Sequence, residues 1–363
     1  MPRPRTVYRG KRKYSWLITL AGTVVVLLIV LAVWLFYSLQ RYIVYDKDGL
    51  RLDLSAQKQA LTQPDSGDLL PDSSLVNRHI PVEIVVDEKD YSQVTTSAGT
   101  ELSPLRAAFI PAAELTENTL KYYGGTEDFS ALVLELKDSS GALRWHSKVP
   151  AADSFAVNGT LEPAEALAGL KERGIAPVAR ISALADDSMA RRNSPLALKN
   201  AATEAVFVEG NQAYLDPYNE GTRAYLLALL TELKALGFDE VLLSGFVCPD
   251  SEYLRFSSAM SQTPNPSTAL CSLADWLRRQ ADALELRLSL EIEAKALRSE
   301  TVLRGQDPAL LFRFFDRIAV ETDPERLDSD LAALSAALGG DDENRVLLIT
   351  EDFMPERESY IVK

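Results

Sequence analysis

The residues best placed to do chemistry are carboxylates and cations at the ends of short apolar runs. In 131–137 (ALVLELK), Leu132, Leu134 and Leu136 alternate with Val133, Glu135 and Lys137. Successive strand side chains point to opposite faces, so the leucines pack outward and Glu135 and Lys137 share the other face. The run 287–293 (RLSLEIE) gives Leu288, Leu290 and Ile292 to one face and Ser289, Glu291 and Glu293 to the other. The same alternation turns Arg180, Glu321 and Glu351 inward at the ends of three further runs. Carboxylates cannot converge in an interior unpaired, so they are solvated, paired with cations such as Lys137 and Arg180, or functional. Two carboxyl groups, one protonated and one ionised, are what glycoside hydrolysis uses.

Other chemistries find little material. Two histidines, His79 and His146, cannot furnish a histidine-rich metal site, and no metal or other cofactor is expected. Ser244-Gly245 lacks the Gly-x-Ser-x-Gly elbow of serine hydrolases, and no Gly-x-Gly-x-x-Gly turn offers a dinucleotide site. Cys248 with His146 would make a dyad that nothing else in the sequence orients. Cys248 and Cys271 could instead form a disulfide, worth on the order of 3 kcal/mol if formed; two separate reduced thiols are the alternative.

The elements that must position these side chains alternate between strand and helix. In 214–249, Leu226, Leu227, Leu229, Leu230 and Leu233 form an apolar helical face that Gly237 stops, and Glu240–Ser244 is a strand. Asp216 and Pro217 stand where an N-cap and first helical residue belong. The eight expected strands are 106–111, 131–137, 175–182, 205–209, 240–244, 287–293, 317–321 and 345–351. Helices such as 163–173 and 268–284 intervene. This rhythm predicts an α/β protein, a (β/α)8 TIM-like barrel over 105–352, with 353–363 as a C-terminal tail. An open doubly wound sheet is the competing architecture.

The N-terminus reads differently. Residues 1–14 hold six cations and no acid, a cytoplasmic basic tail. Residues 15–37 form a single transmembrane helix, since the 21 uncharged residues from Trp16 to Phe36 span roughly 31 Å at about 1.5 Å each. Trp16, Trp34 and Tyr37 sit at its ends, and the basic tail orients the rest extracytoplasmically. Residues 38–104 read as a stalk, with a hairpin at 42–54 around Asp48-Gly49 and a polar linker over 55–78. Setting the six tail cations aside leaves 32 Lys and Arg against 52 Asp and Glu, a net charge of −20. Nucleic acid is therefore not an expected partner.

Asp216-Pro217-Tyr218-Asn219-Glu220 and Gly237-Phe238-Asp239-Glu240 resemble the motifs of a bacterial family of glycoside-hydrolase-like barrel domains. Glu135-Leu136-Lys137-Asp138 with Gly141, Gly174-Ile175, Ala179-Arg180-Ile181, and Ser289 with Glu291 extend the likeness over about 105–352. The chain departs from the family's Asp-Tyr-x-Arg-Phe, with Ser244, Gly245, Phe246, Val247 and Cys248 in its place. A serine thus stands where the resemblance implies a catalytic aspartate, and a valine where it implies an arginine. Two functions follow as expectations. One is a catalytically degenerate, envelope-anchored protein that binds cell-envelope glycan or organises other envelope proteins. The other is an active hydrolase of envelope polysaccharide using a relocated pair, Glu135 and Glu291. In either case Lys137, Asp138, Arg180, Asp216, Glu293, Glu321 and Glu351 are the candidate substrate-binding residues.

Overall fold

The computed structural model describes residues 43–46, 49–52, 91, 102–126, 128–157, 161, 163–257, 265–299, 302–340 and 342–363. The expected transmembrane segment 15–37, the basic tail and most of the stalk lie outside these residues. No helix among the described residues is long and apolar enough to cross a membrane. The chain divides into two units, Met1–Glu83 and Ile84–Lys363. In the first, β1 (Ile43–Asp46) pairs antiparallel with β2 (Gly49–Leu52). The expected hairpin is present, but Asp46 faces Gly49, so Gly49 belongs to the second strand rather than the turn.

The second unit is a barrel. β3 (Arg106–Ile110) leads through α1 (Glu117–Tyr123) to β4 (Ala131–Lys137). Short α2 (Pro150–Asp153) and α3 (Pro163–Lys171) then lead to β5 (Ala176–Ser182). A long insertion follows, with α4 (Asp187–Arg192), β6 (Lys199–Asn200), β7 (Val208–Glu209) and β8 (Gln212–Ala213). α5 (Glu220–Leu236) returns to β9 (Glu240–Ser244), and β10 (Leu254–Arg255) pairs back with β6. α6 (Pro266–Ala283) precedes β11 (Arg287–Ile292); α7 (Ala294–Arg298) and α8 (Pro308–Leu311) precede β12 (Ile318–Glu321). α9 (Leu327–Leu338), β13 (Val346–Thr350) and β14 (Tyr360–Val362) complete it. Eight strands close in the order β11-β12-β13-β14-β3-β4-β5-β9, all neighbours parallel.

Two expected assignments change. The segment 205–209 is not a barrel strand; Val206 bridges antiparallel to Lys199, and Val208–Glu209 pairs with Gln212–Ala213 in a hairpin. Its run is apolar enough for a strand, but Val208 is 39 % exposed, whereas a barrel strand is covered on both faces. The eighth strand comes instead from the expected tail, where Tyr360–Val362 joins β13 to β3. The barrel therefore extends beyond residue 352. Its three-residue run alternates as the others do: Ile361 lies in the inner core, while Tyr360 and Val362 lie in the outer one.

The two cores follow from strand alternation. Ala107, Ala131, Val133, Val178, Leu242, Ala319 and Leu347 fill the barrel interior. Leu132, Leu134, Leu136, Leu288 and Leu290 face the helix layer. From α5, Leu226, Leu229, Leu230 and Leu233 pack against them, each worth about 2 kcal/mol of burial. That helix begins later than the motif suggests, because Asn219, not Asp216, caps it, accepting from the Gly221 and Thr222 amides. It ends at Gly237 (φ 109°), where Gly237 N bonds Lys234 O and Phe238 N bonds Leu233 O, with Phe238 fully buried.

Candidate active site

Above the apolar floor of the barrel, the next inward residues on three strands meet. Val133 is followed inward by Glu135, Val178 by Arg180, and Ser289 by Glu291. Arg180 joins the two carboxylates. Its Nε donates to Glu291 Oε2 at 2.6 Å and its Nη2 to Glu291 Oε1 at 2.7 Å, while Nη1 donates to Glu135 Oε1. Glu135 Oε2 accepts from the Ala112 amide at 2.9 Å. Every oxygen of the pair thus already accepts a hydrogen bond from the protein. The Phe109 ring lies 5.3 Å from the guanidinium carbon, a cation–π contact. Burial opposes the arginine's charge, yet the hydrogen bonds and charges of Glu291 and Glu135 hold its pKa above the ordinary value.

Lys137 does not join this group. The pairing of β4 with β5 slips between Glu135, opposite Arg180, and Lys137, opposite Ile181. This bulge carries Lys137 to the outer side, where Ile181 packs. There Lys137 is fully buried, with Nζ 2.8 Å from Asp186 Oδ2 and also donating to Ser182 O. Tyr225 Oη donates to the same Asp186 oxygen at 3.2 Å. A Cβ on Gly141 would lie 2.3 Å from Asp186 Oδ1, so the glycine makes room for this buried pair.

Asp216 is likewise buried and turned to backbone, accepting from the Tyr218 amide at 2.9 Å and from the Ser257 amide. Burial raises its pKa, against those hydrogen bonds and nearby Arg223. It clasps the loop after β9 and presents no free oxygen to a substrate. Asp138 folds back on its own loop, accepting from Ser140 N at 2.9 Å.

The remaining carboxylates stand on the rim. Glu321, 64 % exposed, pairs with Lys363 at 2.6 Å, and Glu351 is exposed just beyond β13. Glu293 lies past the end of β11, 3.6 Å from Arg304 Nε. Arg304 belongs to a cluster the sequence did not reveal. Its Nη2 donates to Tyr214 Oη at 2.7 Å and its Nη1 lies 3.2 Å from Glu209 Oε2, which also accepts from Tyr214 Oη. Glu209 Oε1 accepts from the Asp250 amide at 3.3 Å, so it ties together loops following β5, β9 and β11. Arg304 and Gly305 both have positive φ, 52° and 77°. The Arg-Gly dipeptide was the only local cue, since partners 90 positions apart leave no periodicity.

Ser244 is buried at the end of β9. Gly245 (φ 57°) follows, and a Cβ there would lie 2.4 Å from Ser182 Oγ and 2.9 Å from Ala185 Cβ. Phe246, Val247 and Cys248 are all buried. Gln306 Nε2 donates to Phe246 O and Cys248 N to Arg304 O, so the turn around Arg304 covers this segment. Of the two alternatives for the cysteines, the structure has the separate thiols: Cys248 and Cys271 are free and buried. Among the described residues, no three His, Cys, Asp or Glu side chains are grouped as a metal would need.

A closed parallel barrel with carboxylates and an arginine at the C-terminal ends of its strands defines a glycoside-hydrolase-like barrel protein. The chain belongs to the family described as "Putative glycosyl hydrolase domain", whose model matches residues 107–319. Among solved structures, the chain is similar to the PgaB (BpsB) glycoside hydrolase domain from Bordetella bronchiseptica, at 13% identity and a TM-score of 0.53. That match covers 73% of this chain and 94% of that one. The glycoside hydrolase domain of PelA from Pseudomonas aeruginosa matches at 22% identity and a TM-score of 0.39, over 70% of this chain and 86% of that one. A hypothetical protein from Ruminiclostridium thermocellum matches at 20% identity and a TM-score of 0.44, over 50% and 96% of the two chains. No curated protein matches the chain.

Proposed function

We propose that this protein is a catalytically degenerate glycoside-hydrolase-like barrel, tethered to the cell envelope by its N-terminal apolar segment, that binds envelope polysaccharide without cleaving it. The observation that carries this reading is the engagement of all four oxygens of Glu135 and Glu291 by Arg180 and the Ala112 amide. A glycosidase pair needs one carboxyl group free to protonate a leaving oxygen and the other free to face the sugar or a water. Ser244, at the inward position after Leu242, brings no carboxylate, and the buried Phe246–Cys248 segment brings no cation. The acidic rim of Glu293, Glu321 and Glu351 still offers hydrogen-bond acceptors to sugar hydroxyls. The charge-free run 16–36 and the basic tail support the tether and its orientation. Other envelope proteins are the second class of partner for such a rim.

The test uses the full chain in detergent with cell-wall polysaccharide, measuring binding and reducing-end release together. Binding with no release, with binding retained in Glu135→Gln and Glu291→Gln, is the expected result. Release that either substitution abolishes would replace this reading with an active hydrolase using Glu135 and Glu291.

A further inference from the structure

The opposite end of the barrel carries a feature that the glycan reading does not use. The N-terminal strand ends open on a cavity of about 420 Å³, a size in the range of small-molecule sites. Its ionisable lining is Lys171, Arg287 and Arg317 against Asp239 and Glu240. Most of these charges are already matched. Arg317, 1 % exposed, places Nε 3.3 Å from Glu240 Oε1, Nη2 2.8 Å from Ser103 O and Nη1 on Asn344 O. Glu240 Oε1 also accepts from Ser289 Oγ at 2.7 Å. Asp239 is shared by Lys171 at 2.8 Å and Lys234 at 3.1 Å.

Arg287 is the exception. It lies two positions before Ser289 on β11, so it faces the barrel axis at this mouth. Among the described residues its half-buried guanidinium has no hydrogen-bond or ion-pair partner. Gly174 (φ 77°) lines the same cavity, and among the described residues nothing lies within 4 Å of where its Cβ would be. In a chain of net charge −14, a concave mouth with one unmatched arginine is a local reversal of sign. Concavity concentrates that field on a bound anion, and a guanidinium presents paired donors that fit phosphate or carboxylate.

We propose that this mouth binds a small oxyanion, the phosphate or carboxylate group of a small molecule, with Arg287 as its principal donor. Calorimetric titration of the full chain with inorganic phosphate, and separately with malonate, at constant ionic strength distinguishes the two sources. One-to-one binding of either probe is expected, weakened by about tenfold or more in Arg287→Gln and partly restored in Arg287→Lys. Hydrogen exchange on the unaltered chain gives a reading that needs no substitution, with probe-dependent protection expected at 103–105, 174–178 and 287. Absence of binding by both probes, equal binding in Arg287→Gln, or protection elsewhere would overturn the proposal.

Discussion

Arg180 on β5 grips Glu291 on β11 with two parallel hydrogen bonds, 2.6 and 2.7 Å, across the intervening β9 at the barrel mouth. Bidentate geometry of this kind fixes both side chains and leaves neither free to turn toward a ligand. With Glu135 on the third guanidinium nitrogen, the group is a structural keystone at the place where barrel enzymes put their chemistry.

Removing the keystone has an expected cost. Arg180→Met leaves two mostly buried carboxylates without their cation, and the expected loss is about 3 kcal/mol by chemical denaturation. Glu321→Gln is the comparison, because that pair is exposed and its removal should shift stability by less than about 1 kcal/mol. Equal effects of the two substitutions would contradict this account.

Lys137 and Asp186 form a fully buried pair between sheet and insertion. Lys137→Met strands a buried carboxylate and should destabilise by about 3–5 kcal/mol. Asp186→Asn in the same background should recover part of that loss. A double-mutant cycle is the measurement, with a coupling of about 2 kcal/mol or more expected; near-additivity would show that the two charges do not depend on each other.

Asp330 supplies a pH dependence. Arg298, with Nε 2.8 Å from Asp330 Oδ1, lowers its pKa; burial opposes this, and Thr322 Oγ1 at 2.6 Å adds to the lowering. A depressed folded-state pKa contributes stability that is present above the ordinary value of 3.8 and is lost as pH falls through the folded-state value. Asp330→Asn should therefore cost about 1–3 kcal/mol at pH 7 and flatten the decline in stability below about pH 4. Parallel acid limbs in the two proteins would argue against the assignment.

The two cysteines should be silent in the native state. Burial pushes the Cys271 thiol up to about 12, with Asp307 adding to the shift, and burial also raises Cys248. Thiolate is the reactive form, so a thiol reagent at pH 8 should label neither residue until the chain unfolds. Two equivalents should then react without any reductant. One or none would indicate a bridge.

Strand alternation made much of this barrel readable from sequence, and its failures are local. Leu132, Leu134 and Leu136 face the helices as their spacing requires, and Glu135 and Glu291 point inward for the same reason. Lys137 breaks the rule because one slip in register reverses the face of the next side chain. Asp216 has the type and position of a helix cap, yet Asn219 takes that role while Asp216 holds Ser257. Tyr360–Val362 is too short to announce itself, since closing the barrel, not intrinsic propensity, makes it a strand. The Glu209–Tyr214–Arg304 cluster depends on three loops meeting, which no local pattern encodes.

That late strand has a consequence for how the molecule assembles. The Leu105 amide donates to Ser359 Oγ across 254 positions, and β14 bonds both β13 and β3. Until residues 360–362 emerge, those two strands remain open parallel edges, and the growing chain can form at most a seven-stranded sheet. Loop closure over such a separation is slow, and open edges recruit other strands. Closing this seam therefore waits on residues 360–362, and until they dock the open edges of β13 and β3 are a point of exposure to aggregation or chaperone capture.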